Sequence, residues 1–234
     1  MRRALTAMVV ATSVIVAAGI GAWLYFVNYS PDRARYPVRG LDVSHHQGEI
    51  DWQRVASDDV SFAFIKATEG GDFVDSDFAE NLADARAAGV AVGAYHFFTL
   101  CRPGAEQAAN FLATVPVGQP LLPPAVDLEY EGNCAARPTS EEVRAELDAF
   151  LAPVEAAFGQ QAVFYITYQF YNDHVLMLPE RPLWVRWIAW QPNHHDWLLW
   201  QYHDRGRVDG IDGDVDLNVL QGDLQTLSSL VATP

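Results

Sequence analysis

The run Pro123-Pro124-Ala125-Val126-Asp127-Leu128-Glu129-Tyr130 delivers two carboxylates, one residue apart, just ahead of a Gly-Asn turn. Alternate side chains of a strand share a face, so Asp127 and Glu129 are expected on one side and Val126, Leu128 and Tyr130 on the other. Like charges held that close raise the pKa of one of them. A pair with split values supplies one protonated acid and one ionised carboxylate at the same pH. Glycoside cleavage uses that combination. Two solvated acids where a strand runs out into a loop are the plain alternative for so short a motif, so the rest of the chain has to decide.

Apolar strands and helical segments alternate from Val38 onward. Strands are expected at Val38 to Val43, Val60 to Lys66, Val90 to Phe98, Pro124 to Tyr130, Ala162 to Thr167, Leu183 to Ala189, Leu198 to Tyr202 and Val215 to Leu220. Helical segments fall between them, at Ile50 to Ala56, Asp77 to Ala88, Gly104 to Thr114, a long helix capped by Thr139 or Ser140 and stopped by Gly159, and Gln169 to Met177. The rhythm then changes. About eight residues, Trp190 to Trp197, precede the next strand, too few for a crossover helix, which needs a dozen or more. Asp223 to Val231 fits a closing helix. Eight strands with five crossover helices and three strands without them predict an α/β fold, an irregular TIM-like (β/α)5(β)3 barrel. In such a barrel the chemistry sits at the C-terminal ends of the strands. Those ends carry Asp42, Glu69, Tyr95 with His96, Asp127 with Glu129, Tyr165, Trp187, Gln201 and Asp216. Acids, amides and rings together suit a carbohydrate, whose hydroxyls take hydrogen bonds and whose C–H faces stack on aromatics.

At 234 residues, half of them hydrophobic, the chain has room for one large barrel domain over residues 39–234. A net charge of −15 repels phosphate backbones and anionic bilayer surfaces, which excludes nucleic acid as a partner. After Arg2 and Arg3, residues Ala4 to Val27 form an uncharged stretch of 24, long enough as a helix to cross a bilayer core of about 30 Å. Trp23, Tyr25 and Phe26 at its end resemble an interfacial aromatic belt, whereas Ala17-Ala18-Gly19 offers a weak signal-peptidase site. An uncleaved anchor over 4–27 is the favoured reading and a signal peptide the alternative. Residues 1–3 then stay in the cytoplasm, 28–38 form a linker, and the barrel faces the periplasm or the exterior.

Six blocks carry a family resemblance. They are Asp42-Val43-Ser44-His45-His46-Gln47-Gly48, Phe64-Ile65-Lys66-Ala67-Thr68-Glu69-Gly70, Gly93-Ala94-Tyr95-His96-Phe97, Val126-Asp127-Leu128-Glu129, Trp200-Gln201-Tyr202 and Val215-Asp216-Leu217-Asn218. In this order they resemble the glycoside hydrolase family 25 lysozymes, the Chalaropsis-type muramidases, from about Arg39 to Leu220. The resemblance implies hydrolysis of the β-1,4 bond between N-acetylmuramic acid and N-acetylglucosamine in peptidoglycan glycan strands, with no metal or other cofactor. It implies Glu129 as general acid, and Asp127 as its partner or as the residue steering a substrate acetamide. Asp42 and Asp216 become the other acids of the cleft. Glu69, Tyr95, His96, Tyr165, Trp187 and Gln201 would then contact the sugar, and the domain would act as a monomer. One departure stands out: Arg186 in Trp184-Val185-Arg186-Trp187 occupies a place where a small residue is expected.

Other functions make different demands. A relative that binds glycan without cutting it would not need the intact acids. A Schiff-base lyase would use Lys66, the only lysine beside fourteen arginines, as a desolvated nucleophile. A lysine paired with a carboxylate in the cleft is the simpler reading. His45-His46 and His194-His195 are adjacent pairs in loops, which rarely bind one ion together. Asp209 to Asp216 resembles a calcium loop in composition but lacks the closing glutamate, so it is read as a turn leading into the last strand. Cys101 and Cys134 follow neighbouring strand ends, so a disulfide is expected, with two buried thiols as the alternative.

Overall fold

The computed structural model describes residues 2–193 and 197–232 and divides into two compact units, 1–30 and 31–234. The predicted histidines His194 and His195 lie outside the described residues. In the first unit one helix, α1 (Arg2–Val27), takes up the whole apolar stretch. It is long and apolar enough to cross a membrane.

In the second unit, β1 (Arg39–Val43), α2 (Trp52–Ser57) and β2 (Phe62–Glu69) are followed by a two-residue strand, β3 (Phe73–Val74), which folds back on β2. Then come α3 (Phe78–Ala87), β4 (Ala91–Phe97), α4 (Gly104–Thr114), β5 (Ala125–Leu128) and α5 (Ser140–Phe158). The chain continues through β6 (Val163–Thr167), α6 (Tyr168–His174), β7 (Leu183–Arg186), β8 (Trp197–Gly206), β9 (Val215–Leu220) and α7 (Leu224–Leu230). Thr139 caps α5 through a capping box with Glu142, and Gly159 ends it in the left-handed conformation, as the sequence predicts.

The sheet runs β1-β9-β8-β7-β6-β5-β4-β2 and closes through β1 on β2, giving an eight-stranded barrel with β3 appended. Successive strands from β1 to β8 pair in parallel, leaving out β3, whereas β9 is antiparallel to both β8 and β1. That reversal corrects one expectation. Asp216 sits at the start of its strand, not the end, and reaches the same mouth as the other acids because β9 runs the opposite way. Two strands also stop early: β5 ends at Leu128 and β7 at Arg186, so Glu129 and Trp187 lie just beyond the ladder.

Aromatic side chains fill the barrel. Phe64 and Tyr165 pack on Trp184 with ring centroids 4.8 and 4.9 Å apart, within a cluster that also holds Phe62, Val163, Leu199 and Leu220. Glycine makes room for two of these rings: a Cβ on Gly40 would overlap Phe62, and one on Gly93 would overlap Phe64. With the axis plugged, polar side chains on the inner face are confined to the layer above it.

A disulfide joins Cys101 and Cys134, whose Cα atoms are 6.4 Å apart, tying the segment after β4 to the segment after β5. For a sequence separation of 33 the cross-link is expected to add roughly 3 to 4 kcal/mol by restricting the unfolded chain. Reduction should therefore lower the thermal midpoint by several degrees, as read by calorimetry with and without reductant. An unchanged midpoint would assign the bridge no stabilising role.

Candidate active site

The inner face of each strand supplies one layer of the mouth. β2 reads Phe62, Phe64 and Lys66 inward, so a lysine follows two rings of the plug. In β5 Asp127 stands two residues beyond Ala125, which belongs to the core. Asp42 of β1 lies directly opposite Asp216 of β9 in the antiparallel register. That pairing makes the two carboxyl groups hydrogen-bond partners.

Asn218, two residues after Asp216, organises this pair from below. Its Nδ2 donates to Asp42 Oδ2 at 2.7 Å, and its Oδ1 accepts from Trp184 Nε1 at 2.7 Å. The indole thus fixes which way the amide faces, and the amide fixes the carboxyl. On the other flank Tyr165 donates its hydroxyl to Gln201 Oε1 at 2.7 Å, and Gln201 in turn bonds Asp216. Asp127 is buried, and its Oδ1 has no protein partner.

Burial is the first cause of every shift among these acids. It drives Asp42 and Asp127 well above the ordinary carboxylate range, with neighbouring carboxylates pushing the same way. Asp216 is pushed up to about 6, chiefly by burial, against the hydrogen bond from Gln201. Glu129 is pushed up to about 7 by burial, which the Arg186 charge opposes and the Glu131 charge reinforces. A carboxyl at about 7 is still about half protonated at neutral pH, and such a group can serve as a general acid.

Lys66 is ion-paired with Glu69 at 2.7 Å, and its ammonium lies 5.0 Å from the Phe97 ring centroid. It is a counter-charge to the mouth, lowering the pKa of both Asp127 and Glu129. The amine that Schiff-base chemistry would need is engaged in an ion pair, and Glu69 is its partner.

A cavity of about 760 Å³ opens beside Glu129, walled by Tyr168, Arg186, Trp187 and Trp190 among others. Tyr168 and Trp187 meet edge to face at 4.9 Å, forming a corner against which a sugar face can stack.

His96 is the exception among the predicted contact residues. Strand alternation lets only one of Tyr95 and His96 face the barrel interior, and it is Tyr95 whose hydroxyl feels Asp42, Asp127 and Asp216. His96 points outward, fully buried, with Nδ1 2.7 Å from the Thr68 hydroxyl and Nε2 3.0 Å from Gln107 Oε1. Its ring stacks on Phe150 of α5 at 4.9 Å. Burial lowers its pKa to about 4, so the ring is neutral there. Gln107 also bonds Thr99 and Arg102, so His96 anchors the segment that leads to Cys101.

His45 is held by Asp75, Nδ1 to Oδ2 at 2.7 Å, and among the described residues no three ligating side chains converge as a metal site would require. The Asp209 to Asp216 stretch is a turn leading into β9, as expected, with positive φ at Gly210 and Gly213 and an isolated bridge from Ile211 to Ile50. Asn218, Arg186, Tyr168 and Trp190 were not singled out as site residues from sequence. Alternation in β9 and β7 is the signal that would have added the first two, since Asn218 shares a face with Asp216 and Arg186 with Trp184.

The model of Glycosyl hydrolases family 25 matches residues 41–211. The chain belongs to glycosyl hydrolase family 25. Lysozyme M1 of Streptomyces globisporus is 35% identical over 211 residues, covering 82% of this chain and 71% of the relative. A family 25 glycosyl hydrolase from Bacillus anthracis superposes with a TM-score of 0.78 at 32% identity, covering 88% of this chain and 98% of that one. A bacterial lysozyme from Streptomyces coelicolor superposes at 0.75 with 33% identity, covering 82% and 96%. The eight-stranded barrel is therefore the family 25 fold, and the protein is a glycoside hydrolase of the lysozyme type.

The raised acids make stability depend on pH in a definite direction. Glu129 moves from 4.5 to about 7 and Asp216 from 3.8 to about 6. Between these limits the native state binds more protons than the unfolded chain, so stability falls as pH rises from about 4 to about 7. The Glu129→Gln protein should show a higher melting temperature than wild type at pH 8 and little difference at pH 4. Parallel melting curves across that range would count against a buried, raised Glu129.

Proposed function

We infer that the barrel is a peptidoglycan muramidase that hydrolyses the β-1,4 bond between N-acetylmuramic acid and N-acetylglucosamine, with Glu129 as general acid. The observation that carries this reading is a carboxyl that burial raises to about 7, at the rim of an aromatic-walled cavity in a family 25 barrel. Glu129 gives its proton to the glycosidic oxygen as the C1–O bond breaks and the electron pair stays with the departing sugar. Water then supplies hydroxide to C1 and returns a proton to Glu129. Asp127, with a buried and unpartnered Oδ1, is assigned to the substrate acetamide. Asp42 and Asp216 share a hydrogen bond below it and keep the floor of the cleft fixed. Tyr95, Tyr165 and Gln201 complete that floor, and Trp187 with Tyr168 supplies the stacking wall.

We further infer that α1 is an uncleaved membrane anchor, that residues 28–38 link it to the barrel, and that the barrel works outside the cytoplasm. Support comes from the 24 uncharged residues Ala4 to Val27, from Trp23, Tyr25 and Phe26 at the end of the helix, and from the disulfide, which forms in oxidising compartments.

Three outcomes are expected. Glu129→Gln should lower turnover on purified peptidoglycan by about 10²-fold or more while glycan binding survives, since only the proton donor is removed. Asp127→Asn should also slow turnover and shift the pH profile, because Asp127 and Glu129 interact. Muropeptide release at the wild-type rate by Glu129→Gln would sink the assignment. Full-length protein should remain in the membrane pellet after an alkaline wash with Ala4 to Val27 intact by mass, and a soluble, shortened product would mean a cleaved signal.

A further inference from the structure

We propose that Arg186 reads the carboxyl-bearing arm of the muramic acid unit, taking its acyl oxygens on a guanidinium that Asp204 holds at the mouth. The inference rests on the muramidase reading and names what distinguishes one sugar of the repeat from the other.

The position follows from strand alternation. Arg186 shares a face of β7 with Trp184, whose ring packs inside the barrel against Phe64 and Tyr165. Its register neighbours are Thr167 on β6 and Gln201 on β8, and Gln201 belongs to the floor of the cleft. Arg186 thus lines the same cavity as Glu129, Tyr168 and Trp187.

The charge balance of the mouth calls for a cation. Glu131 bears on Glu129 from the rim, any of Asp42, Asp127, Glu129 and Asp216 that ionises adds to the negative charge, and Lys66 is bonded to Glu69. A substrate carboxylate brought to such a mouth meets repulsion unless a positive group receives it. Arg186 bonds Asp204 through Nη2 at 2.9 Å, with the two side chains 30% and 34% exposed. An ion pair that open to water restrains a side chain without consuming much binding energy. A guanidinium has five N–H donors in a planar fork, and the Asp204 contact uses one nitrogen. A planar carboxylate or amide oxygen is the partner that such a fork fits. In the peptidoglycan repeat only muramic acid carries a lactyl arm ending in a carboxyl group or its amide. N-acetylglucosamine has no such group.

The test uses the full-length Glu129→Gln protein in detergent, titrated with two soluble glycans of equal length. One is a peptidoglycan oligosaccharide with its lactyl arms and the other a chito-oligosaccharide without them. Adding Arg186→Gln should weaken binding of the first about tenfold and of the second less than about twofold. Arg186→Lys keeps a positive charge beside Glu129 but loses the fork, so it should recover only part of the affinity. Equal weakening for both glycans, no weakening for the muramic acid glycan, or full recovery with lysine would overturn the proposal. Should wild type release no fragments from peptidoglycan, the muramidase reading fails and takes this inference with it. Normal digestion by wild type, with KM for peptidoglycan unchanged in Arg186→Gln, overturns the inference alone.

Discussion

Four carboxyl groups held above an aromatic plug set the terms for everything else in this barrel. Water is kept out from below by Phe64, Tyr165 and Trp184, so the acids sit where an ionised form is costly. Protons are retained as a result, and a group that keeps a proton at neutral pH is what glycoside cleavage needs. The same burial that makes the site active makes it expensive to ionise. Part of the fold's stability at neutral pH is thereby given up at the mouth.

The arrangement holds because each acid is answered locally. Asp42 has the Asn218 amide, itself oriented by the Trp184 indole, and Asp216 has Gln201, oriented by Tyr165. Lys66 and Arg186 supply the two opposing charges on Glu129. Of the four acids, Asp127 keeps a buried Oδ1 with no protein partner. Such fixed dipoles cost nothing further when charge develops during reaction, because they are already in place.

Closure of the barrel by an antiparallel strand does as much for the site as the acids themselves. A parallel last strand would bring Leu220, not Asp216, to the mouth. With β9 reversed, Asp216 meets Asp42 across the ladder and Asn218 lies one step below on the same face. The segment after β4 is tied to the segment after β5 by the Cys101–Cys134 bridge and to α4 by the contacts of Gln107 with His96 and Thr99. Glu129 stands just past the end of β5, where its carbonyl accepts from Asn133 Nδ2 at 3.0 Å.

Much of the fold was legible in the chain because it is written in local patterns. Alternating apolar runs, the Thr139 cap, the Gly159 stop and the connection too short for a helix each act over a few residues, and together they specify a barrel with five crossovers. The acid pair Asp127 and Glu129, the distant Asp42 and Asp216, and the disulfide could likewise be named from type and position. What the chain alone left open depends on partners far away in sequence. Strand direction in β9 depends on how the chain returns from β8 into the gap beside β1, so it does not show in the residues of β9. Position at the end of its strand puts His96 with Tyr95 near the mouth, yet only the closed sheet decides which neighbour faces in. The pull of burial on Glu129, and the meeting of Arg186 with Asp204 across 18 residues of sequence, exist only once the barrel has closed and shut water out.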